Sequence, residues 1–164
     1  MDELFSIGQI RERVGEMGRE IREFYRGRDL TVLVLMNGGA FFGVDLARAI
    51  DLPLWFDSMR VASYSGITRG ELRLESPPKL PLNGREILLA DDVFDSGETI
   101  RLCKEMLLAR GAAGVRCAVL INKDVPGRKL EPDWAGFTAP DRFLVGFGMD
   151  HDEMHRNLPF VGVI

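Results

Sequence analysis

Residues 86–100 read EILLADDVFDSGETI. The apolar run 87–90 has no polar break, as a strand covered on both faces requires. Two acids, Asp91 and Asp92, stand at its tip, and a short turn of Asp95, Ser96, Gly97, Glu98 and Thr99 then opens a helix. Backbone N–H groups at a helix N-terminus favour an anion, Gly97 lets the backbone approach it, and Ser96 and Thr99 add hydroxyl donors. Phosphate is the natural ligand of such a turn. The paired carboxylates can accept hydrogen bonds from vicinal hydroxyls or hold a divalent cation. A phosphate beside a diol points to a ribose phosphate. Taken alone, a DD or DSG is equally a solvated turn with an N-cap; the whole string favours the ligand site.

Working outward, TVLVLM (31–36) is a second short apolar run, closed by Asn37, Gly38 and Gly39, and CAVLI (117–121) is a third. Helical stretches lie between them, at roughly 40–50 and 98–110, the latter closed by Gly111, where a left-handed cap costs little. Near the N-terminus, Ile10, Val14, Met17, Ile21 and Phe24 recur at steps of four and three, the stripe of an amphipathic helix. Strand and helix alternate, which predicts an α/β domain around a parallel sheet with its ligands at the carboxyl ends of the strands. Two regions break the alternation. Residues 63–84 are rich in Gly, Pro, Ser and charge, too long for an ordinary connection, and read as a flap. Residues 124–141 read as mostly irregular, leading into a strand-like RFLVGF at 142–147.

The 164 residues suit one domain with a sizeable core, at ~150 residues per domain. Hydrophobic residues at 46% and charged residues at 28% exclude disordered, collagen-like and coiled-coil chains. A net charge of −4 and a pI near 5.3 argue against a broad nucleic-acid surface. No apolar run reaches the ~18–20 residues of a membrane span, and the first residues lack the pattern of a signal peptide, so the expected compartment is the cytoplasm. Cys103 and Cys117 have no metal or redox spacing and read as buried apolar residues. His151 and His155 stand four apart without a third ligand pattern and read as structural or solvated.

Among nucleotide motifs, GxxxxGK[ST] and a strand-following GxGxxG are both missing, and there is no GxSxG. Residues 86–100 instead resemble the 5-phosphoribosyl 1-diphosphate (PRPP) motif of the type I phosphoribosyltransferases: apolar strand, two acids, two apolar residues, Asp-Ser/Thr-Gly, then Thr. The likeness continues along nearly the whole chain in the order of the hypoxanthine-guanine branch. LVLMNGGAFFGVDLARAI is similar to its diphosphate loop and following helix, SYSG to the start of its flexible loop, VLINKD to the strand with the purine-pocket lysine, and RFLVGFGMDHDEMHRNLPFVGVI to its C-terminal hood.

The resemblance implies a single domain over 1–164 with the type I phosphoribosyltransferase fold: a parallel sheet core flanked by helices, a small C-terminal hood and a flexible loop. It implies an enzyme of purine salvage, joining hypoxanthine or guanine to PRPP. Asp91 and Asp92 would hold the ribose hydroxyls, and Asp95, Ser96, Gly97, Glu98 and Thr99 the 5′-phosphate. Asn37, Gly38, Gly39 and Arg156 would meet diphosphate, with a non-proline cis peptide at Met36–Asn37. Asp95 would also face N7 of the purine as the acid/base, Lys123 would donate to O6, Phe143 would stack on the ring, and the Leu144 backbone would read its edge. Mg²⁺ would be held by Asp150, with Asp91 and Asp92 as further oxygen donors. Ser63 and Tyr64 would close the flexible loop over the substrate, and the chain would assemble as a homodimer or homotetramer. Two positions depart from the family pattern: Asn37 stands where a lysine is common, which bears on a cationic contact to diphosphate or on a subunit-interface contact, and Asp91 replaces a common glutamate, one methylene longer. Two other readings compete: a non-catalytic PRPP sensor that binds RNA, and a transferase preferring xanthine.

Overall fold

The computed structural model, which describes residues 1–63 and 71–164, builds its main sheet from the three apolar runs and three strands less visible in the sequence. In chain order the elements are β1 (Asp2–Phe5), α1 (Ile7–Tyr25), β2 (Leu30–Leu35), α2 (Ala40–Ile50), β3 (Trp55–Ser63), β4 (Leu72–Ser76), β5 (Glu86–Phe94), α3 (Glu98–Ala109), β6 (Gly114–Asp124), β7 (Trp134–Pro140), β8 (Leu144–Val145) and β9 (Val161–Val163). Six strands form the sheet in the order β4-β3-β2-β5-β6-β7, all neighbours parallel except the β3–β4 pair.

Alternation along the central strands divides the core. Val32, Val34, Leu88, Ala90, Ala118 and Leu120 pack against α1 and α2. Their sequence neighbours Leu33, Leu35, Ile87, Leu89, Cys117 and Val119 face α3 on the other side. Because both faces are covered, these strands can be apolar at every position, which is why their runs stand out in the sequence. Both cysteines are buried thiols, and burial pushes them up to about 12 at Cys103 and about 11 at Cys117.

Helices α2 and α3 match their expected spans, and Gly111 follows α3 at φ +97°. Helix α1 starts three residues before its stripe, because Ser6 and Gln9 form a reciprocal cap: the Gln9 N–H donates to Ser6 Oγ at 3.3 Å, and the Ser6 N–H to Gln9 Oε1 at 2.9 Å. Three expectations need correction. The segment read as a flap contains β4, an edge strand antiparallel to β3. The segment read as irregular contains β7, an edge strand paired with β6; Trp134 packs against Phe24 and Phe137 stacks on Phe5 on its α1 side, Ala135 packs on the other, and Gly136 and Thr138 interrupt the apolar run. RFLVGF yields only the two-residue β8, because the chain turns through positive φ at Gly146, Phe147 and Gly148.

The hood is a separate three-stranded antiparallel sheet, β1-β9-β8. The N-terminal strand β1 completes it, so both ends of the chain meet over the carboxyl edge of the main sheet.

Candidate active site

Strands β2 and β5 are neighbours, yet the chain leaves β2 through α2 on one face and β5 through α3 on the other. A crevice opens at such a switch point, at the carboxyl ends of the two strands. The tip of β5 carries Asp91 and Asp92. Their backbone holds them locally: the Asp92 N–H donates to Asp91 Oδ1 at 2.9 Å and the Val93 N–H to Asp92 Oδ1 at 2.8 Å. Desolvation pushes both carboxyls above the usual carboxylate range, and the neighbouring Asp92 charge drives Asp91 further up; Arg156 pulls Asp92 partly back.

Just beyond, a cleft of about 200 Å³ is lined by Asp91, Asp95, Ser96, Gly97 and Thr99. Gly97 caps α3 at φ +80° and lies on the Phe94 ring, so a Cβ here would come within 2.6 Å of ring carbons. The first amides of a helix lack intrahelical partners, and those of α3 open on this cleft. The Glu98 side chain turns away and pairs with Arg101 at 2.9 Å through Nε, so only its backbone belongs to the turn.

Across the crevice, the loop after β2 contains a cis peptide at Met36–Asn37. The Asp92 carboxylate sits where a Gly38 side chain would be, which brings the loop backbone against the strand tip. Asn37 Oδ1 accepts a hydrogen bond from Arg60 Nη2 of β3 at 2.5 Å. The loop therefore has a guanidinium beside it although Asn37 itself carries no charge.

A second cleft, about 180 Å³, shares Val93 with the first and is lined by Asp92, Lys123, Phe143, Leu144 and Asp150. Lys123, the penultimate residue of β6, has its ammonium 3.3 Å from Asp95 and 3.7 Å from Asp141. Phe143 is 52% exposed, which a core residue would not be, and its ring meets His151 edge-on at 5.3 Å. Leu144 is buried beneath it. Asp150 is held by the Glu153 N–H at 3.0 Å and by Arg156 at 2.9 Å, and Arg156 also donates to the Gly148 carbonyl at 2.8 Å. Arg156 is thus folded into the hood, beside the diphosphate loop that Gly148 abuts through the Gly38 carbonyl. Ser63 closes β3, while Tyr64 lies outside the described residues.

Among the described residues, no three His, Cys, Asp or Glu side chains gather into a self-sufficient metal cage. The donor set nevertheless fits Mg²⁺, which takes one or two carboxylates and draws its other oxygens from water and substrate. Asp91 and Asp92 are adjacent, desolvated carboxylates whose charge a cation would relieve.

One residue of the site escaped the sequence reading. Arg128 follows a Pro126–Gly127 turn, with Gly127 at φ +76° and the Arg128 N–H on the Val125 carbonyl at 3.2 Å. It donates to the carbonyls of both Asp95 and Lys123. The Pro-Gly pair was the available signal, because it marks a type II turn that folds the chain back.

Comparison with known proteins matches a family model described as a phosphoribosyl transferase domain over residues 1–152. The hypoxanthine-guanine phosphoribosyltransferase of Lactococcus lactis subsp. lactis (strain IL1403) is 39% identical over 165 residues, covering 98% of this chain and 89% of that protein. The protein of the same name from Mycobacterium avium is 36% identical over 170 residues, covering 98% and 84%. A crystal structure of a hypoxanthine phosphoribosyltransferase from Staphylococcus aureus superposes with a TM-score of 0.93 at 30% identity, covering 100% of this chain and 91% of that one.

Proposed function

The chain belongs to the phosphoribosyltransferase family, in its hypoxanthine-guanine branch, and from that premise we propose a purine-salvage transferase whose two clefts take the two substrates. It joins a 6-oxopurine, hypoxanthine or guanine, to PRPP, giving the nucleoside 5′-monophosphate and diphosphate. The observation that carries this reading is the pair of clefts meeting at Val93, one rimmed by helix amides and hydroxyls, the other by an ammonium and an exposed aromatic face.

In this reading the amides of Ser96 to Thr99 hold the 5′-phosphate, and Asp91 and Asp92 accept from the ribose hydroxyls. The purine lies on Phe143, with the Leu144 backbone at its edge and its O6 toward Lys123. An ammonium offers only donors, which suits a carbonyl oxygen and opposes the 6-amino group of adenine. Asp95 takes the N7 proton as N9 bonds to the anomeric carbon and the carbon–diphosphate bond breaks. The loop amides of Gly38 and Gly39 and the cations Arg60 and Arg156 meet the departing diphosphate. Asp150, with Asp91 and Asp92 as further oxygen donors, would hold Mg²⁺, which would supply charge neutralisation for the diphosphate. Ser63 and Tyr64 belong to the loop that excludes water.

The same reading takes residues 1–164 as one domain acting in the cytoplasm as a homo-oligomer, dimer or tetramer. Among the described residues no helix is long and apolar enough to cross a membrane. Exposed Phe41 and Val44 on α2, beside Phe147, offer an apolar face of the kind an oligomer covers. Absorbance-monitored turnover with PRPP, Mg²⁺ and each of hypoxanthine, guanine, xanthine and adenine tests the function: turnover of the first two supports it. Xanthine as the best base would shift the assignment, and no turnover with any base would remove it.

A further inference from the structure

The β5–β6 ladder ends at the pair Phe94 and Asn122. The next residues are Asp95, just past the end of β5, and Lys123, still within β6, whose side chains approach to 3.3 Å. Sheet hydrogen bonding between β5 and β6 stops one residue short of the pair that faces the base. Arg128 takes over at that point. Its Nη1 donates to the Lys123 carbonyl at 2.7 Å and to the Asp95 carbonyl at 2.9 Å, bridging the two strand tips with one atom. The rest of the guanidinium is anchored: Nη2 donates to Asn122 Oδ1 at 2.7 Å and to the Glu131 carboxylate at 3.2 Å, and Nε to the Leu130 carbonyl at 2.8 Å. Its plane lies over the Phe94 ring at 4.9 Å, and its side chain is only 7% exposed. The Arg128 hydrogen bond, with a second from Asn122, holds the Glu131 carboxyl below its usual range.

From this geometry we propose that Arg128 is a positioning residue, which sets the separation of the Asp95 carboxylate and the Lys123 ammonium and thereby the seat of the purine. The inference rests on the reading of Asp95 and Lys123 as the groups that meet the base. Arg128 lines neither cleft itself; it acts on the backbone carbonyls of Asp95 and Lys123, which do. Lysine cannot replace it, since a point charge lacks the planar fork that reaches carbonyls and carboxylate together.

The test is initial-rate kinetics on the full chain, with hypoxanthine and PRPP varied separately, PRPP binding measured by calorimetry and unfolding followed thermally. Arg128→Gln is expected to lower kcat/KM for the base by about tenfold or more, since small misplacements of reacting groups are costly, with the Kd of PRPP within threefold or so. Arg128→Lys is expected not to restore it. In a Lys123→Ala background the same substitution is expected to cost less than about threefold, because the separation it maintains no longer matters. Equal losses in both backgrounds, or parallel losses toward base and PRPP with a lowered Tm, would overturn the proposal in favour of a purely structural arginine. Glu131→Gln loosens one anchor and leaves the carbonyl bonds in place. It is expected to give a smaller loss that likewise disappears beside Lys123→Ala; persistence of that loss overturns the proposal even if Arg128→Gln does not fold. A Lys123→Ala variant with wild-type base kinetics would overturn the functional reading and this inference with it. A Lys123→Ala loss that shows no coupling to Arg128 overturns the inference alone.

Discussion

The phosphate cleft takes its lining from one continuous run, Asp91–Ile100, whereas the base cleft gathers Asp92, Lys123, Phe143 and Asp150 from the tips of β5 and β6 and from the hood. In the first, the binding groups are largely backbone amides fixed by the start of α3, so side chains can change without moving them. In the second, the groups are side chains on elements distant in sequence, brought together by tertiary contacts such as the Lys123–Asp95 pair and the Arg128 bridge. A local site should therefore resist side-chain substitution and yield to backbone substitution, and an assembled site should do the reverse.

Asp95 lines the phosphate cleft and pairs with Lys123 of the base cleft, and it gives the largest expected effect. Asp95→Asn keeps the shape and removes proton acceptance, so kcat should fall by about 10²- to 10⁴-fold, while PRPP affinity, measured by calorimetry, should change little. A kcat within threefold or so of wild type would remove Asp95 from the chemistry and leave it only as the partner of Lys123.

Lys123→Ala should strike the base cleft alone. Loss of a charged hydrogen bond, ~1.5–3 kcal/mol, corresponds to about 10- to 150-fold in kcat/KM for hypoxanthine and guanine. Equal weakening of PRPP binding would break the distinction between the two regions.

The converse test is Gly97→Ala, a backbone substitution in the local site. A side chain at φ +80° and against the Phe94 ring should destabilise the fold by about 1–3 kcal/mol and weaken PRPP binding. Urea unfolding reads the first and calorimetry the second; an unchanged midpoint and Kd would show the turn to be more adaptable than its geometry implies.

The smallest effect concerns the strand-tip acids. Burial holds Asp91 and Asp92 above the ordinary 3.8, so the folded state binds more protons than the unfolded chain. Stability of the unliganded protein should therefore fall as pH rises from about 4 through the raised values, and level off above them. Asp91→Asn should flatten that fall and raise the Tm at neutral pH by about 2–4 °C, the size ~1 kcal/mol produces in a domain of this length, while weakening PRPP binding. A pH-independent Tm would show that neither carboxyl is raised.

The same contrast explains what could be read from the chain. The string 86–100 declared itself because strand, acids, turn and helix start follow one another, and each constrains the next by local geometry. Phe143 looked at first like any aromatic in RFLVGF; only its 52% exposure over the cleft separates it from core. Strands β4 and β7 were missed because edge strands need no continuous apolar run. Strand β1 was missed because its partner, β9, lies at the opposite end of the chain.

The sequence by itself determined the alternating α/β core, the location of the site at the carboxyl ends of the strands and the anion-binding turn at α3, all consequences of short-range periodicity and backbone chemistry. Tertiary structure alone decided that Arg60 stands beside Asn37 and that Arg128 ties Asp95 to Lys123. Those pairings depend on where distant segments meet, and a side chain's reach across a crevice leaves no period or spacing along the chain.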